Sequence, residues 1–397
     1  MKWPTQQLNE VADFRLGKML DEKKNRGDLM PYLANVNVRW GEFDLSELRE
    51  MRFEDHEVDT FGLRHGDIVM CEGGEPGRCA IWKEQLPGMM IQKAIHRIRP
   101  HACLNHEFLY YTFLYMGKTG RFSALFTGAT IKHLPREKLA LLEVAVPPLP
   151  VQKSIGSLLS AYDDLIENNR RRMALLEESA RLLYQEWFVR LRFPGHEHVQ
   201  IKNGVPEGWE RKSTTEVIDI NPRTKLSDAD EHTWVEMGDL STNSMVVQEY
   251  IQREGRSGSK FMNGDTLFAR ITPCLENGKT AYVNFLAEGE VGRGSTEFIV
   301  LRSNSLTPEF VYCLARTYAF RENAIKSMVG SSGRQRVQES CFEKFMVVVP
   351  PRTLLEHFTD AAELIFRQIM ILHKQTLKVR AARDLLLPKL MSGELVV

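Results

Sequence analysis

Residues 152–189 decide the fold, and they read QKSIGSLLSAYDDLIENNRRRMALLEESARLLYQEWFV. Apolar residues recur here in alternating steps of four and three, the heptad pattern of a helix that packs along another helix. The pattern holds over about five heptads and includes one neutral polar residue, Asn169. Because Gly and Pro are absent between Gly156 and Pro194, we expect one continuous helix of roughly 50 Å. The seam positions are Ile155, Leu159, Tyr162, Ile166, Asn169, Met173, Leu176, Ala180, Leu183 and Trp187.

A second seam near the end of the chain supplies the partner that such a helix needs. It follows the first seam at a constant shift of 203 residues, so that Ile155 corresponds to Phe358. By the same shift, Pro147-Pro148 falls on Pro350-Pro351. The chain therefore contains an internal duplication with a period of about half its length. The second seam consists of Phe358, Ala362, Ile365, Ile369, Leu372, Thr376, Val379, Arg383, Leu386 and Leu390.

Composition bounds the class of protein. The 397 residues leave room for two or three domains, and 43% of them are hydrophobic, which is enough for real cores. With 52 basic and 52 acidic residues the formal net charge is zero, which excludes an overall basic coat but not a local basic face. Six cysteines without a CxxC pair or a zinc-like spacing are expected to be mostly buried, reduced thiols. No apolar run reaches about 18 residues and no signal-peptide core is seen, so we expect a cytoplasmic protein.

The regions outside the two helices repeat one another. Residues 1–150 mix short strand patterns with turn residues and contain a predicted helix from Asn105 to Met116. Residues 208–350 follow the same order, and Gly66-Asp67 corresponds to Gly264-Asp265 at a shift of 198. Small differences in the shift indicate insertions in loops on a preserved scaffold.

The sequence thus predicts a mixed α/β protein of the α+β class. Two similar domains, residues 1–150 and 208–350, are joined by a central helix at 151–190, a linker at 191–207 rich in Gly, Pro and His, and a C-terminal helix at 351–397. We expect the two helices to form an antiparallel coiled coil about an internal pseudo-two-fold axis.

The loops of both domains carry side chains of the types that bind DNA. Arg, Lys, Asn and Gln read base edges, whereas Ser, Thr and Lys hold phosphates. Surface loops are polar in other proteins too, so the loops alone leave both interpretations open. SSGRQR at 331–336 is the strongest candidate, because its small residues let the backbone approach a phosphate chain. The candidates are Asn35, Asn37, Arg39, Arg78, Thr127, Thr130, Lys132 and His133 in the first domain, and Arg270, Thr272, Asn277, Lys279, Ser331, Ser332, Arg334, Gln335 and Arg336 in the second.

Motifs for catalysis are missing from the sequence. The glycine-rich runs GEVGRGS and EGRSGSK match neither the dinucleotide nor the P-loop pattern. Asn221-Pro222-Arg223 does not satisfy the methyltransferase tetrapeptide, in which Asn or Asp precedes Pro-Pro and an aromatic residue. His196 and His198 lack Cys or Asp partners for a metal. We therefore expect a chain that is not an enzyme and that holds no metal or cofactor, and we interpret Arg170–Arg172 as a solvated helix face.

The order of these segments resembles the specificity (S) subunit of type I restriction-modification systems, and the resemblance covers the whole chain. It rests on the proline exit and the glutamine-bearing helix start at 147–155, on Trp187-Phe188, on GVPEGW at 204–209 and on LPKLMSGEL at 387–395. The second copy departs from the pattern, since Leu355-Glu356 stands where the first copy has Gln-Lys. Transfer to that copy is therefore limited to the architecture.

The resemblance implies a specific task. Two target-recognition domains each read one half of an asymmetric bipartite site in double-stranded DNA, and the paired helices act as a ruler for the spacer between the halves. The helices also dock two modification subunits, which bind S-adenosylmethionine and methylate adenine. Two restriction subunits driven by ATP with Mg complete the nuclease. These cofactors are expected in the partner subunits, and no membrane is involved.

Two other hypotheses stay open at this point. A stand-alone DNA-binding protein of the same fold, serving another defence or modification system, would bind DNA stably without a methyltransferase partner. A coiled-coil tether with protein-binding domains would show no salt-dependent affinity for DNA. Identifying the proteins that co-purify from the native host separates these hypotheses.

The seams also predict a register. Full antiparallel overlap requires the numbers of facing seam residues to sum to 545. A buried amide without a partner costs about 1–3 kcal/mol, so we expect the two neutral polar seam residues to face and hydrogen-bond each other. An aromatic pair and an arginine lying on a tyrosine ring are also expected. The predicted facing pairs are Asn169 with Thr376, Trp187 with Phe358, and Tyr162 with Arg383.

The ruler hypothesis predicts that helix length sets the DNA spacer. Inserting one heptad between Arg172 and Glu177, with a matching insertion in the partner helix, lengthens the rod by about 10 Å, or roughly three base pairs of B-DNA. Mapping the methylated sites of the altered complex should show a spacer longer by that amount. An unchanged spacer would refute the ruler.

Overall fold

A computed structural model describes residues 3–21, 25–227 and 230–395 of the chain. It divides into two compact units, Met1–Ile166 with Lys378–Val397, and Glu167–Leu377. Both units are β-rich, and each of the two long helices contributes residues to both of them. The helices are therefore part of the core of each unit.

Within its described residues, the first unit has nine strands and four α-helices before the first long helix. Its strands are β1 Thr5–Gln7, β2 Ala12–Leu16, β3 Asp28–Leu33, β4 Arg49–Phe53, β5 Ile68–Cys71, β6 Cys79–Ile81, β7 Met90–Ile91, β8 Ile95–Pro100 and β9 Glu143–Ala145. Its helices are α1 Leu8–Val11, α2 Asp55–Phe61, α3 His106–Lys118 and α4 Arg136–Ala140, and the long helix α5 follows at Leu149–Tyr184. The predicted helix start is confirmed, because the Asn105 side chain caps α3 by accepting a hydrogen bond from the Phe108 amide.

The second unit has the corresponding elements. Its strands, with the short hairpin β10–β11 that precedes them, are β10 Ile201–Lys202, β11 Val205–Pro206, β12 Glu210–Ser213, β13 Ile218–Ile220, β14 Glu231–Val235, β15 Ile251–Glu254, β16 Ser259–Phe261, β17 Thr266–Ala269, β18 Thr280–Tyr282, β19 Gly292–Gly294, β20 Phe298–Ser303 and β21 Met346–Val349. Its helices are α6 Thr214–Val217, α7 Pro308–Ala315, α8 Tyr318–Lys326 and α9 Cys341–Lys344, followed by the long helix α10 at Arg352–Met391.

The two units share one sheet topology. In the first unit the strand orders are β2-β8-β5-β6, β4-β3-β7 and β1-β9. In the second they are β13-β20-β17-β18, β15-β14-β19-β16 and β12-β21. The first sheet is antiparallel throughout in both units, and the second contains one parallel pair, β3 with β7 or β14 with β19. The duplication seen in the sequence is thus a duplication of the fold.

The segment TPEFVYCLARTYAF at 307–320, which corresponds in sequence to the single helix α3, forms parts of two helices. α7 ends at Ala315, and the Thr317 side chain then caps α8 by accepting from the amide of Phe320. Threonine is a favoured N-cap, and its backbone here is extended, which breaks the helical path. The pattern of apolar residues continued across the break and did not reveal it.

The long helices pack antiparallel, as the two seams predict. In the first unit, Ile155 and Leu159 of α5 share a buried core with Leu387 and Leu390 of α10. In the second unit the rings of Trp187 and Phe358 lie 6.2 Å apart, which confirms that predicted pair. Asn169 and Thr376 are both buried, at 1% and 4% exposure. Arg171 and Arg172 are exposed, as expected for a solvated helix face.

In each unit, a buried polar side chain of the long helix α5 hydrogen-bonds to neighbouring residues of that unit. The Gln152 side chain, wholly buried, accepts from the Asn105 amide and donates to the carbonyls of Cys103 and Pro147. In the second unit the buried Glu177 carboxylate accepts from the Met245 amide at 2.7 Å and from a tyrosine hydroxyl described below. A buried polar group is tolerated when its hydrogen bonds are made, so these two residues fix the position of the long helix α5 against the loops and short helix next to it in each unit.

Two details of the predicted register are wrong. Asn169 and Thr376 do not satisfy each other, because the Thr376 hydroxyl donates to the Leu372 carbonyl of its own helix at 2.8 Å. The amide nitrogen of Asn169 has no hydrogen-bond partner among the described residues. A threonine inside a helix can reach the carbonyl four residues earlier, and this local bond prevails over the bond across the seam.

Arg383 is the second correction, since it forms ion pairs instead of lying on the Tyr162 ring. Its guanidinium pairs with Asp163 on α5 and with Asp384 at 2.8 Å. Burial opposes the charge of Arg383, but the two carboxylates outweigh it and raise its pKa. A paired carboxylate stabilises a half-buried guanidinium more than a ring face does, which explains the choice.

The cysteines are free thiols throughout the described residues. Cys71, Cys79, Cys313 and Cys341 are buried, and burial raises the pKa of each thiol above its usual value. Cys103 is exposed. No helix in the described ranges combines the length and the apolar character needed to cross a lipid bilayer.

The unpartnered amide of Asn169 predicts a stabilising substitution. Asn169→Leu removes a buried donor whose desolvation costs about 1–3 kcal/mol, and we expect the free energy of unfolding to rise by roughly 1–2 kcal/mol. Thermal melting followed by helical circular dichroism measures this as a higher Tm. Thr376→Val is the matched control and should change Tm less, because the hydroxyl bonds only within its own helix. A lower Tm for Asn169→Leu would contradict the account.

Candidate nucleic-acid interface

A buried ion pair at equivalent positions supports the central strand of each unit. Asp67, just before β5, accepts two hydrogen bonds from Arg99, both at 2.7 Å. Asp265, just before β17, accepts two from Arg302 at the same distances. Both aspartates are 1% exposed. Charge-assisted bidentate pairs of this kind hold geometry well, so the loops that follow the two strands start from the same frame.

Two loops meet at the end of this strand in the first unit. We name residues 72–78 the first strand-end loop and residues 127–133 the first exit loop. The exit loop is closed by two hydrogen bonds between the backbones of Thr127 and His133, both 2.8 Å. It is tied to the strand-end loop because the Leu134 amide donates to the Glu72 carbonyl at 2.8 Å.

The second unit builds the same arrangement with different residues. Residues 270–279 are the second strand-end loop, and residues 329–336 are the second exit loop. Val329 and Arg336 close the exit loop by two backbone hydrogen bonds of 3.0 Å, and the Val337 amide donates to the Arg270 carbonyl. The Thr272 hydroxyl also accepts from the Gln335 amide at 3.1 Å. The structure therefore brings the candidates of each domain together in one surface.

Several candidates hold the loops in place. Arg78 and Lys279 are equivalent, and each donates to a carbonyl in a neighbouring 3-10 turn, that of Asn35 at 2.9 Å and that of Met237 at 2.7 Å. Asn37 is buried and hydrogen-bonds three backbone groups of its own loop. These side chains position the surface, and their hydrogen bonds are already made.

Arg39 and Arg336 are exposed but paired. Arg39 donates to the carbonyls of Val36 and Val38 and lies 3.5 Å from an Asp44 carboxylate oxygen. Arg336 forks onto Glu297, with a shortest distance of 2.6 Å, and this hydrogen bond lowers the pKa of the Glu297 carboxyl. A DNA ligand would have to compete with these carboxylates.

Asn35, Thr127 and Gln335 are half-buried, whereas seven further candidates face solvent with side chains that make no hydrogen bond or ion pair to any described residue. They are thus available to a ligand without rearrangement. They lie in both exit loops and at one position of the second strand-end loop, and they are Thr130, Lys132, His133, Asn277, Ser331, Ser332 and Arg334.

A basic cleft in the second unit was missed by sequence reasoning. Arg223, Lys260 and Arg270 line a cleft of about 430 Å³ together with Ser259 and Thr296. The Arg270 Nε is buried without a hydrogen-bond partner among the described residues. In the sequence analysis, the segments that contain Arg223 and Lys260 were compared only with enzyme motifs, which they do not match. The spacing of these residues in the sequence does not indicate that they lie close together in the fold.

A possible metal cluster gives no competing site. Glu54, His56 and Glu57 place ligand atoms near one another at the surface. The Glu57 carboxylate is already engaged, since it accepts from the Glu54 amide at 3.0 Å and pairs with the ammonium of Lys18. The loops and the cleft are therefore the main candidate surface.

Comparison with known proteins assigns this architecture. Residues 1–178 match the family model described as the type I restriction modification DNA specificity domain. The chain is 22% identical to the type I restriction enzyme MjaIX specificity subunit of Methanocaldococcus jannaschii, across 100% of this chain and 94% of that protein. It is 32% identical to the EcoEI specificity subunit of Escherichia coli over 156 residues, which cover 38% of this chain and 26% of that protein.

The fold agrees with a solved structure. The crystal structure of the type I restriction-modification S subunit from M. genitalium covers 98% of this chain with a TM-score of 0.56 at 15% identity, and 96% of that chain is matched. The duplicated β-rich units, the antiparallel long helices and the matches along the sequence point to one family. The chain matches the specificity subunits of type I restriction-modification systems, through the DNA specificity domain over residues 1–178 and through the likeness to the MjaIX specificity subunit along its whole length.

Proposed function

We propose that each unit reads one half of an asymmetric bipartite DNA site, and that the paired helices set the spacer between the halves. The observation that carries this proposal is the pair of equivalent loop frames. Backbone hydrogen bonds close and anchor both exit loops in the same way, while their exposed side chains differ. A shared frame with different side chains is what two readers of two different half-sites need.

The exposed loop residues suit different parts of DNA, some the base edges and others the phosphates. In the first unit Lys132 and His133 offer donors, and in the second Arg334 offers a planar fork that can bind a guanine edge bidentately. Ser331 and Ser332 beside Arg334 are small donors suited to phosphates. The basic cleft of Arg223, Lys260 and Arg270 would hold the DNA backbone, because three clustered cations release counterions from it.

The long helices also present a surface for other subunits. Leu175 and Leu182 of α5 and Leu364 and Ile371 of α10 are exposed by 68, 45, 64 and 45%. All four occupy one heptad position on the outer side of the helices, away from the seam. Exposed apolar side chains in a row mark an interaction surface. We propose that two modification subunits, which bring S-adenosylmethionine, dock on the helices, and that ATP-dependent restriction subunits join them.

Arg334→Ala tests the two-reader proposal. In the complex with modification subunits, we expect it to weaken binding of one half-site by about 1–3 kcal/mol and to relax base preference there, because a bidentate pair is lost. Binding to duplexes altered in each half, measured at several salt concentrations, separates a lost base contact from a lost phosphate contact. Lys132→Ala is the matched variant and should affect the other half only. Equal loss of discrimination in both halves would contradict the proposal.

A charge on the outer helix surface tests docking. Leu175→Glu combined with Leu364→Glu should weaken association with the modification subunit at least tenfold, because burying an unpaired carboxylate is costly, while leaving Tm unchanged. Ile251→Glu, at another exposed apolar position of the same unit, is the control. Co-purification and calorimetry measure both. Unchanged association of the double variant would rule out this surface.

A further inference from the structure

A cleft in the first unit has no role in the functions described so far. It has a volume of about 410 Å³, within the usual range for small-molecule sites. It opens beside Glu75 and Pro76 of the first strand-end loop. Its walls are mainly aromatic and apolar, formed by Trp40, Tyr110, Leu114, Phe122 and Phe126, with Arg383 beside them.

Two of its rings lie against glycines. A Cβ on Gly117 would come within 2.5 Å of the Trp40 ring, and a Cβ on Gly77 within 2.9 Å of the Phe122 ring. Gly77 has φ +89°, which other residues rarely adopt. The positions of both rings therefore depend on glycines next to them, and any larger residue at either glycine would displace the ring.

One polar group in the cleft lacks a partner. Tyr110 is 4% exposed, and its hydroxyl makes no hydrogen bond to any described residue. Burial raises the pKa of this phenol well above its usual value, so the hydroxyl remains a donor at every physiological pH. Because this hydroxyl lines the cleft without a partner among the described residues, it can donate to an acceptor atom of a ligand.

In the second unit, the tyrosine that corresponds to Tyr110 has a hydrogen-bond partner. Tyr312, at the position that corresponds to Tyr110 in the helix after the sheet, donates to the Glu177 carboxylate at 2.6 Å. Beside it, Arg316 donates to the carbonyls of Thr242 and Gly278 at 3.2 and 2.9 Å. The second unit thus fills this place with its own polar side chains, whereas the first leaves an open cleft and a free hydroxyl.

The charges around the cleft are neutralised by neighbours. Arg383 pairs with Asp163 and Asp384, and Lys118 lies 2.5 Å from Asp384. Glu75 accepts from the Trp40 indole at 3.0 Å and pairs with Arg78. Because each of these cations is already paired with a carboxylate of the described residues, the cleft does not favour an anion. Aromatic walls and one donor favour an uncharged ring with an acceptor atom.

We propose that this cleft binds a planar, uncharged heteroaromatic ring of the nucleobase type, with its acceptor on the Tyr110 hydroxyl and its faces against the aromatic walls. The ring can come from a free nucleoside or from a base extruded from bound DNA. The second source rests on the proposed function, because it requires DNA at the adjoining strand-end loop. The first source does not.

Calorimetric titration of the full chain with adenosine, guanosine, cytidine and thymidine tests the shared chemistry. We expect at least one nucleoside to bind at millimolar concentration or below. Tyr110→Phe should weaken it by about two- to tenfold, the effect of one neutral hydrogen bond. Tyr312→Phe is the matched control and should leave nucleoside binding unchanged. Ser123→Trp, which adds a ring from an exposed position on the cleft wall, should abolish binding without altering the circular dichroism spectrum.

Repeating the titration with the modification complex and saturating cognate duplex identifies the source. If the duplex displaces the nucleoside, an extruded base occupies the cleft, and if both bind together, the ligand is a free molecule. Either result supports the cleft as a ring site. Absence of nucleoside binding, or binding that Tyr110→Phe and Ser123→Trp leave intact, overturns the proposal. Because this readout needs no DNA recognition, its failure is distinct from failure of the two-reader proposal.

Discussion

The antiparallel seam between the two long helices is the contact on which the rest of the structure depends. Neither β-rich unit is complete without it, because each core includes apolar residues from both helices, such as Ile155 with Leu390 in the first unit and Ala180 with Phe358 in the second. Heptad packing of this kind buries an apolar stripe on each helix that would otherwise face water. The seam carries a cost at its polar position, since the buried amide nitrogen of Asn169 has no hydrogen-bond partner in the described part of the chain. A polar seam residue of this type favours one register over its neighbours at the expense of stability.

The duplication has preserved backbone geometry and let the chemistry diverge. The Asp–Arg pairs at Asp67 and Asp265 and the backbone closure of both exit loops recur with nearly the same distances. The exposed side chains on these loops differ in charge and size between the units. The buried residue of α5 that hydrogen-bonds to each unit also differs, since it is Gln152 in the first and Glu177 in the second. The residues that build the scaffold and the exposed side chains of the loops are therefore separate groups, so the loop side chains of one unit can be replaced without loss of its fold.

The sequence predicted the helices and their pairing well, because a seam repeated at a constant shift of 203 residues leaves few alternatives. The contact between Trp187 and Phe358 was predicted from the antiparallel register, in which the numbers of facing seam residues sum to 545. The predicted partners of the polar seam residues were wrong, because Thr376 hydrogen-bonds within its own helix and Arg383 pairs with Asp163. A seam pattern does not indicate which carboxylates lie beside the seam. The basic cleft and the aromatic cleft were beyond sequence reasoning, since Arg223 and Arg270, or Trp40 and Phe122, meet only through tertiary folding.

The proposed function requires two independent readers that are held at a fixed separation. Sequencing that detects methylated adenines across the host genome, compared with a strain lacking this chain, tests it directly. The account predicts a single asymmetric motif made of two specified parts with an unspecified spacer of constant length, all of it lost with the chain. A contiguous motif, or a spacer that varies from site to site, would contradict it.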